Sequence, residues 1–241
     1  MKSNFVERTL YRLMELPAPS CFLRLDDHFA QALPATPDRG AAAHLPVLLA
    51  ERICARYAEV EWYAAAIGDA RKREGLDREG DVKAALLTRG LFVGYLGASR
   101  SFLDACASTL DSTYTLRLER ADRSFASSLF WQVLVERAPN THRRYHPSRI
   151  FFNEVFRWCA ESADRIAPLE VIYATFGPYS TRDAHMRVLD EPAVSFVTLA
   201  EGRRTLNWID PLALHDRWKS NFISLCDRLC EEIKATVPWQ E

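Results

Sequence analysis

DVKAALLTRGLFVGYLGASRSFLDACASTLDSTY, residues 81–114, decides the fold class. Val82, Leu86, Phe92, Leu96, Phe102, Leu103, Cys106 and Leu110 fall along one side of a 3.6-residue period with no proline between them, which is the pattern of a helix. Asp81, following Gly80, suits an N-cap. A helix this long with so apolar a face has to be largely buried. Gly90, Gly94 and Ala98 stand four apart on one face, where missing side chains let a neighbouring backbone approach, at a propensity cost of about 1 kcal/mol per Gly against Ala. The stretch is not a membrane span, because its uncharged part, Leu91 to Ser99, falls far short of the ~20 residues required. Arg100 and Asp104 follow directly. In Arg100-Ser101-x-x-Asp104 the two charges sit one turn apart, where they pair along the helix or project together into a cleft.

Upstream, LPVLLAERICARYAEVEWYAAAIGDARKREG, residues 45–75, reads as a second long helix opened by Pro46 and stopped by Gly75. Leu48, Leu49, Ile53, Tyr57, Val60 and Ala64 form its stripe. Two long helices joined by so short a turn should pack antiparallel. Residues 1–16 can form a short amphipathic helix through Phe5, Leu10, Leu13 and Met14, closed by Pro17-Ala-Pro19, and residues 33–40 read as a loop.

Downstream, a third helix is expected from Asp122 to Arg137, with Phe125, Leu129, Phe130, Val133 and Leu134 inward and Pro139 ending it. A fourth begins near Ser148 and carries Ile150, Phe151, Val155, Phe156, Cys159 and Ala163 inward, stopping before Pro168. The period then changes to two. Residues 169–176 read as a strand, and 194–200 with 203–209 as a hairpin turning at Glu201-Gly202. Asp210-Pro211 suits an N-cap and first turn for a closing helix through Leu212, Trp218, Phe222, Leu225, Cys226, Leu229 and Ile233. The expected architecture is mainly α, an antiparallel four-helix bundle with a small C-terminal β-hairpin and a closing C-terminal helix. Its divisions are an N-terminal helix and Pro-rich loop at 1–45, the bundle at 46–166, and the hairpin with its closing helix at 167–241.

With 241 residues the chain has room for a sizeable core. A net charge of -1 offers no global attraction to nucleic acid or membrane, so any basic surface has to be local. The six cysteines sit mostly within apolar helical patterns, and residues 1–16 lack the apolar core of a signal peptide. Reduced thiols and a cytoplasmic location are expected. Cys226 and Cys230, one turn apart with no second pair at metal spacing, read as small buried side chains. Asp183-Ala-His185 would need distant partners to hold a metal and reads as a surface loop. No metal and no cofactor is expected, since the motifs that hold phosphates or zinc are missing.

The chemistry-bearing stretch is Arg137-Ala-Pro-Asn-Thr-His142-Arg143-Arg144-Tyr145-His146-Pro-Ser-Arg149, with four arginines, two histidines and no acid. Arginines grip phosphate oxygens bidentately, a tyrosine can stack a base, and an imidazole titrating near neutrality can move a proton. The same composition also fits a solvated loop whose arginines pair with distant acids.

The helix ending in ASRSFLDACASTL, the long helix before it and Arg137-x4-His142 at the junction of the third and fourth helices resemble the HEPN superfamily, the higher eukaryotes and prokaryotes nucleotide-binding domains. Within it, the resemblance is to bacterial stand-alone members whose second helix carries a similar Arg-Ser-x-x-Asp. It covers residues 46–166, and the tail is an elaboration. Such a resemblance implies a homodimer and a metal-independent ribonuclease, in a toxin-antitoxin or other defence role, with an antitoxin or other protein as partner. His142 would assist the attack of the RNA 2'-hydroxyl as general base or orient it, and Arg137 would hold the scissile phosphate and stabilise its developing charge. Arg143, Arg144, Tyr145, His146 and Arg149 would be the supporting RNA contacts. Where the family commonly has Asn after the Arg, this chain has Ala138 and Pro139. Members without a working motif serve as dimerisation or partner-binding modules, which is the alternative reading.

Overall fold

The computed structural model describes Val6, Tyr11 and residues 15–32, 41–72, 78–165, 194–200 and 203–237. It is mainly helical: α1 (Ser20–Ala32), α2 (Ala41–Lys72), α3 (Arg78–Tyr114), α4 (Ser128–Arg137), α5 (Pro139–Tyr145), α6 (Arg149–Arg165) and α7 (Pro211–Ala235). Single 3-10 turns at Arg120–Asp122 and His146–Ser148 punctuate the middle of the chain. Two strands, β1 (Val194–Ala200) and β2 (Arg203–Ile209), pair antiparallel with Val194 opposite Ile209 and Ala200 opposite Arg203. The strand expected at 169–176, the helix expected within 1–16 and the Asp183 and His185 pair lie outside the described residues. No helix among the described residues is long and apolar enough to cross a membrane.

Several elements depart from what the sequence suggested. Helix α1 was not anticipated, although Phe22, Leu25 and Phe29 carry a helical period and are buried. Helix α2 begins at Ala41 rather than at Pro46, so it carries that proline inside it, without the backbone hydrogen bond a proline cannot donate. Helix α4 begins at Ser128, six residues beyond the expected Asp122. Phe125 has left the helical path to stack face-on against Phe152, ring centroids 4.2 Å apart, and Ser127 instead caps α4 through the amide of Phe130. Leu48, Leu129 and Ile150, all expected inward, are exposed.

The chain forms two compact units, each discontinuous in sequence. The first comprises Met1–Trp62, Ala98–Val155 and Lys219–Glu241. Its core joins α2, α3 and α7: Tyr57 lies 5.3 Å from Phe102, and Phe222 meets Phe102 edge-on at 5.5 Å. Phe151 of α6 reaches Phe222 at 5.2 Å, so the closing helix packs against three other helices of this unit. The Cys226 and Cys230 thiols are buried, hydrogen-bonded to Cys21 of α1, and free.

The second unit comprises Tyr63–Gly97 and Phe156–Trp218. Tyr95 is its centre, stacked on Trp218 at 6.1 Å and meeting His215 edge-on at 5.6 Å. The Cys159 thiol bonds the carbonyl of Leu96 at 3.1 Å. The small residues of α3 do not work as their spacing suggested. A Cβ on Gly94 would overlap the Tyr63 ring, whereas one on Gly90 would meet nothing within 4 Å. Gly94 therefore makes room for a side chain, and Gly90 makes room for nothing described.

Candidate functional site

The basic segment is not an open loop. Pro139 ends α4 and also opens α5, because the N–H it lacks is one that a first helical turn leaves unbonded anyway. Ala138 makes the corner with φ -143 and ψ 66, donating its amide to Leu134 and accepting from His142 at 2.9 Å in each case. In the seven-residue helix that follows, residues four apart share a face. Thr141 and Tyr145 face inward and are buried. His142 and His146 share the next face.

That geometry sorts the expected contacts into two groups. Tyr145 is fully buried, with the Arg228 guanidinium over its ring at 4.8 Å, so it offers no face to a base. Arg144 bonds the buried Glu232 carboxylate at 2.7 Å. Glu232 also accepts from the Tyr114 hydroxyl, and Thr141 donates to that hydroxyl at 2.8 Å. Arg228 donates to the Arg144 carbonyl at 2.7 Å and to the Ser148 hydroxyl at 2.9 Å. Arg144 and Tyr145 thus fasten α5 to α3 and α7. Arg228 and Glu232, which do the fastening, carry no local signal in the sequence.

The second group faces out. The His142 and His146 rings lie 4.9 Å apart, and both meet the Trp131 indole edge-on, at 6.0 and 6.1 Å. Arg149 sits over the same indole at 5.6 Å. Trp131 is itself held by its Nε1, which donates to the Phe125 carbonyl at 2.8 Å. Burial, followed by the nearby His146 and Arg149, pushes the His142 pKa below its ordinary value. A neutral imidazole at pH 7 can accept a proton. Arg137, at the end of α4, and Arg143 are exposed, and among the described residues neither side chain is engaged in an ion pair or hydrogen bond. Trp131 is the member of this cluster that the sequence reading did not single out.

No family model, curated protein or solved structure matches this chain. The site therefore has to be read from its own chemistry.

A second feature of the same unit is a cleft of about 1310 Å³ among α2, α3 and the connection before α4. Arg100 and Asp104 both line it and also pair, at 3.8 Å, so the two roles weighed for them coexist. The Ser124 hydroxyl donates to Asp104 at 2.8 Å. Burial nevertheless raises the Asp104 pKa, against the lowering effects of Ser124 and Arg100. Arg52 and Arg56 of α2 enter the same cleft, as do Arg120 and Arg123 of the connection. Among the described residues no group of three His, Cys, Asp or Glu side chains is placed to hold a metal ion.

Proposed function

We propose that this chain is a HEPN-like ribonuclease whose reacting groups lie on the outward side of α5 and the turn that follows it. The observation that carries this reading is the pair of imidazoles, His142 and His146, held 4.9 Å apart on one tryptophan with an arginine beside them. In RNA cleavage the 2'-oxygen attacks phosphorus while its proton passes to a base, and the 5'-oxygen leaves with a proton from an acid. His142 is the base, kept neutral by its surroundings, and His146 is the imidazole within reach to serve the leaving oxygen. Arg137 and Arg143 carry charges free to meet the phosphate oxygens as negative charge builds on them. The product is a 2',3'-cyclic phosphate. By the same resemblance the reaction needs no metal, the active form is a homodimer, and the fold is an antiparallel four-helix bundle made of α2, α3, α4 and α6 with the hairpin and α7 as additions. A role as the toxin of a bacterial defence pair, held by an antitoxin, follows from the resemblance alone.

A second reading, a bundle that binds a protein partner without cutting RNA, is favoured by one observation. Leu129, Val135 and Ile150, on the helices flanking the histidines, are 42%, 44% and 83% exposed. Apolar groups left in water on both sides of a site suit an interface. A homodimer would use the same residues.

The deciding experiment is cleavage of total RNA by the purified protein in EDTA, beside His142→Ala, His146→Ala and Arg137→Ala variants shown to be folded by circular dichroism. Cleavage by the wild type, lost in the histidine variants, sustains the ribonuclease. If all four proteins are inert, or all cut alike, the second reading takes its place.

A further inference from the structure

We infer that the cleft among α2, α3 and the connection before α4 grips the phosphodiester backbone of single-stranded RNA, independently of base sequence. This rests on the ribonuclease reading for the choice of RNA, but it concerns a different set of residues.

The argument starts from what lines the cleft. Five arginines, Arg52, Arg56, Arg100, Arg120 and Arg123, enter it against three carboxylates, Asp104, Glu119 and Asp122. Two of the carboxylates are engaged within the protein, and Glu119 has no side-chain ion pair or hydrogen bond among the described residues. Asp104 accepts from Ser124 and pairs with Arg100, and Asp122 accepts from Ser127 at 2.9 Å. Some of the cations are engaged as well: Arg123 bonds Asp111 at 3.0 Å and Arg56 bonds Glu59 at 2.8 Å. Arg52 and Arg120 are not. Both are exposed, and among the described residues neither side chain has an ion pair or hydrogen bond. Counted over the lining, five guanidinium groups stand against three carboxylates, an excess of two positive charges, and Arg52 and Arg120, from separate elements, are the cations tied to no carboxylate among the described residues.

Size and chemistry then choose the ligand. The volume of about 1310 Å³ exceeds the roughly 300–1,000 Å³ typical of small-molecule pockets. The lining is arginine, serine, alanine and carboxylate, with no aromatic and no large apolar side chain. Arginine and serine donate to phosphate oxygens, which positions a nucleic acid without reading its bases. Single-strand binders commonly add aromatic side chains on which bases stack, and this lining has none, so its contacts are to the backbone alone. A large, polar, cationic cleft without aromatics suits several successive phosphates. One helix borders both features: Ser128 of α4 lines the cleft, and Trp131, one turn further along, meets the two imidazoles.

The test uses the full chain and a fluorescent 2'-O-methyl RNA oligonucleotide of mixed sequence, which cannot be cleaved. Binding is followed by anisotropy from 50 to 300 mM salt. For a single strand each neutralised phosphate contributes about 0.7 to the log–log salt slope. The Arg52→Gln/Arg120→Gln double variant should flatten that slope by roughly 1.4 and raise Kd between about 10- and 30-fold at 0.1 M salt. Arg24→Gln, outside the cleft, should bind as the wild type does. Equal binding and equal slope for the double variant, or no binding by the wild type, overturns the cleft. Binding that depends on Arg52 and Arg120 without cleavage of unmodified RNA sustains the cleft and overturns only the ribonuclease.

Discussion

Arg144 and Glu232 form an ion pair of 2.7 Å in which the carboxylate is 6% exposed and the guanidinium 51%. The asymmetry decides what its loss costs. Without Arg144, Glu232 stays buried with only the Tyr114 hydroxyl to satisfy it. Exposed pairs contribute about 0–1 kcal/mol and breaking a buried one costs about 3–5, so a pair exposed on one side falls between. Arg144→Ala should lower unfolding stability in urea by about 1–2 kcal/mol, with part of the loss recovered when Glu232→Gln is added. RNA cleavage per folded molecule should not change. An arginine acting on the substrate phosphate would show the opposite pattern, lost activity at full stability.

Tyr145 gives a sharper contrast. Its hydroxyl is buried and, among the described residues, has no hydrogen-bond partner. A buried hydroxyl without a partner costs about 1–3 kcal/mol of desolvation, and phenylalanine removes that cost while keeping the ring beneath Arg228. Tyr145→Phe should leave the thermal midpoint unchanged or raise it, with RNA affinity unaltered. Weakened RNA binding at unchanged stability would restore the residue to the RNA surface.

On the proposed ribonuclease reading, His142 ties activity to pH. Its pKa lies below the ordinary 6.5 because burial disfavours the cation, helped by His146 and Arg149. The acid limb of kcat/KM on unmodified RNA should therefore bend below pH 6.5, and Arg149→Gln should move the bend upward. Stability follows the same sign. Below pH 6.5 the unfolded chain takes up a proton that the folded chain resists, so stability falls as pH drops through the folded pKa. His142→Asn should lack that part of the slope.

The mainly helical class was legible because Phe92, Leu96, Phe102, Cys106 and Leu110 keep one period over five turns, and all five are buried. The start of α7 was legible from two residues: Asp210 does accept the amide of Leu212, at 2.9 Å, ahead of Pro211. The missed helix α1 had a usable signal in Phe22, Leu25 and Phe29 behind Pro19. The basic stretch was visible as composition, but its division into inward and outward residues was not. Arg144 turns inward because of a carboxylate 88 residues further on, and no local period records such a partner. The cleft was hidden for the same reason, since Arg52, Arg100 and Arg120 come from three separated stretches.

Two glycines of α3 separate propensity from packing. At Gly90 an added Cβ meets nothing within 4 Å, so alanine there gains only helix propensity. Gly90→Ala should raise stability by about 0.5–1 kcal/mol. At Gly94 the added Cβ would overlap the Tyr63 ring, and overpacking typically costs about 1–3 kcal/mol. Gly94→Ala should destabilise by that order in the same urea titration, and Tyr63→Leu should recover part of the loss. Two equal shifts would mean that the ring moves aside freely.

Asp104 holds the balance of charge in the cleft. Burial raises its pKa, so the folded state disfavours its ionised form, and the Arg100 pair, at 3.8 Å with both side chains more than a third exposed, offsets little of that. Asparagine keeps an oxygen for the Ser124 hydroxyl and removes the charge. Asp104→Asn should therefore fold within about 0.5 kcal/mol of the wild type near neutral pH. The sign of the pH dependence is fixed. With a folded pKa above the unfolded value, the wild-type side chain favours folding most when protonated, below the unfolded pKa, and loses that advantage as pH rises through the folded pKa. The variant should lack this dependence. For RNA the effect is reversed in kind: one fewer carboxylate among five arginines should tighten binding of the uncleavable oligonucleotide about fivefold at 0.1 M salt and steepen the salt slope. Weaker binding by Asp104→Asn would mean that the carboxylate orients Arg100 toward the strand, and that geometry rather than net charge sets affinity in the cleft.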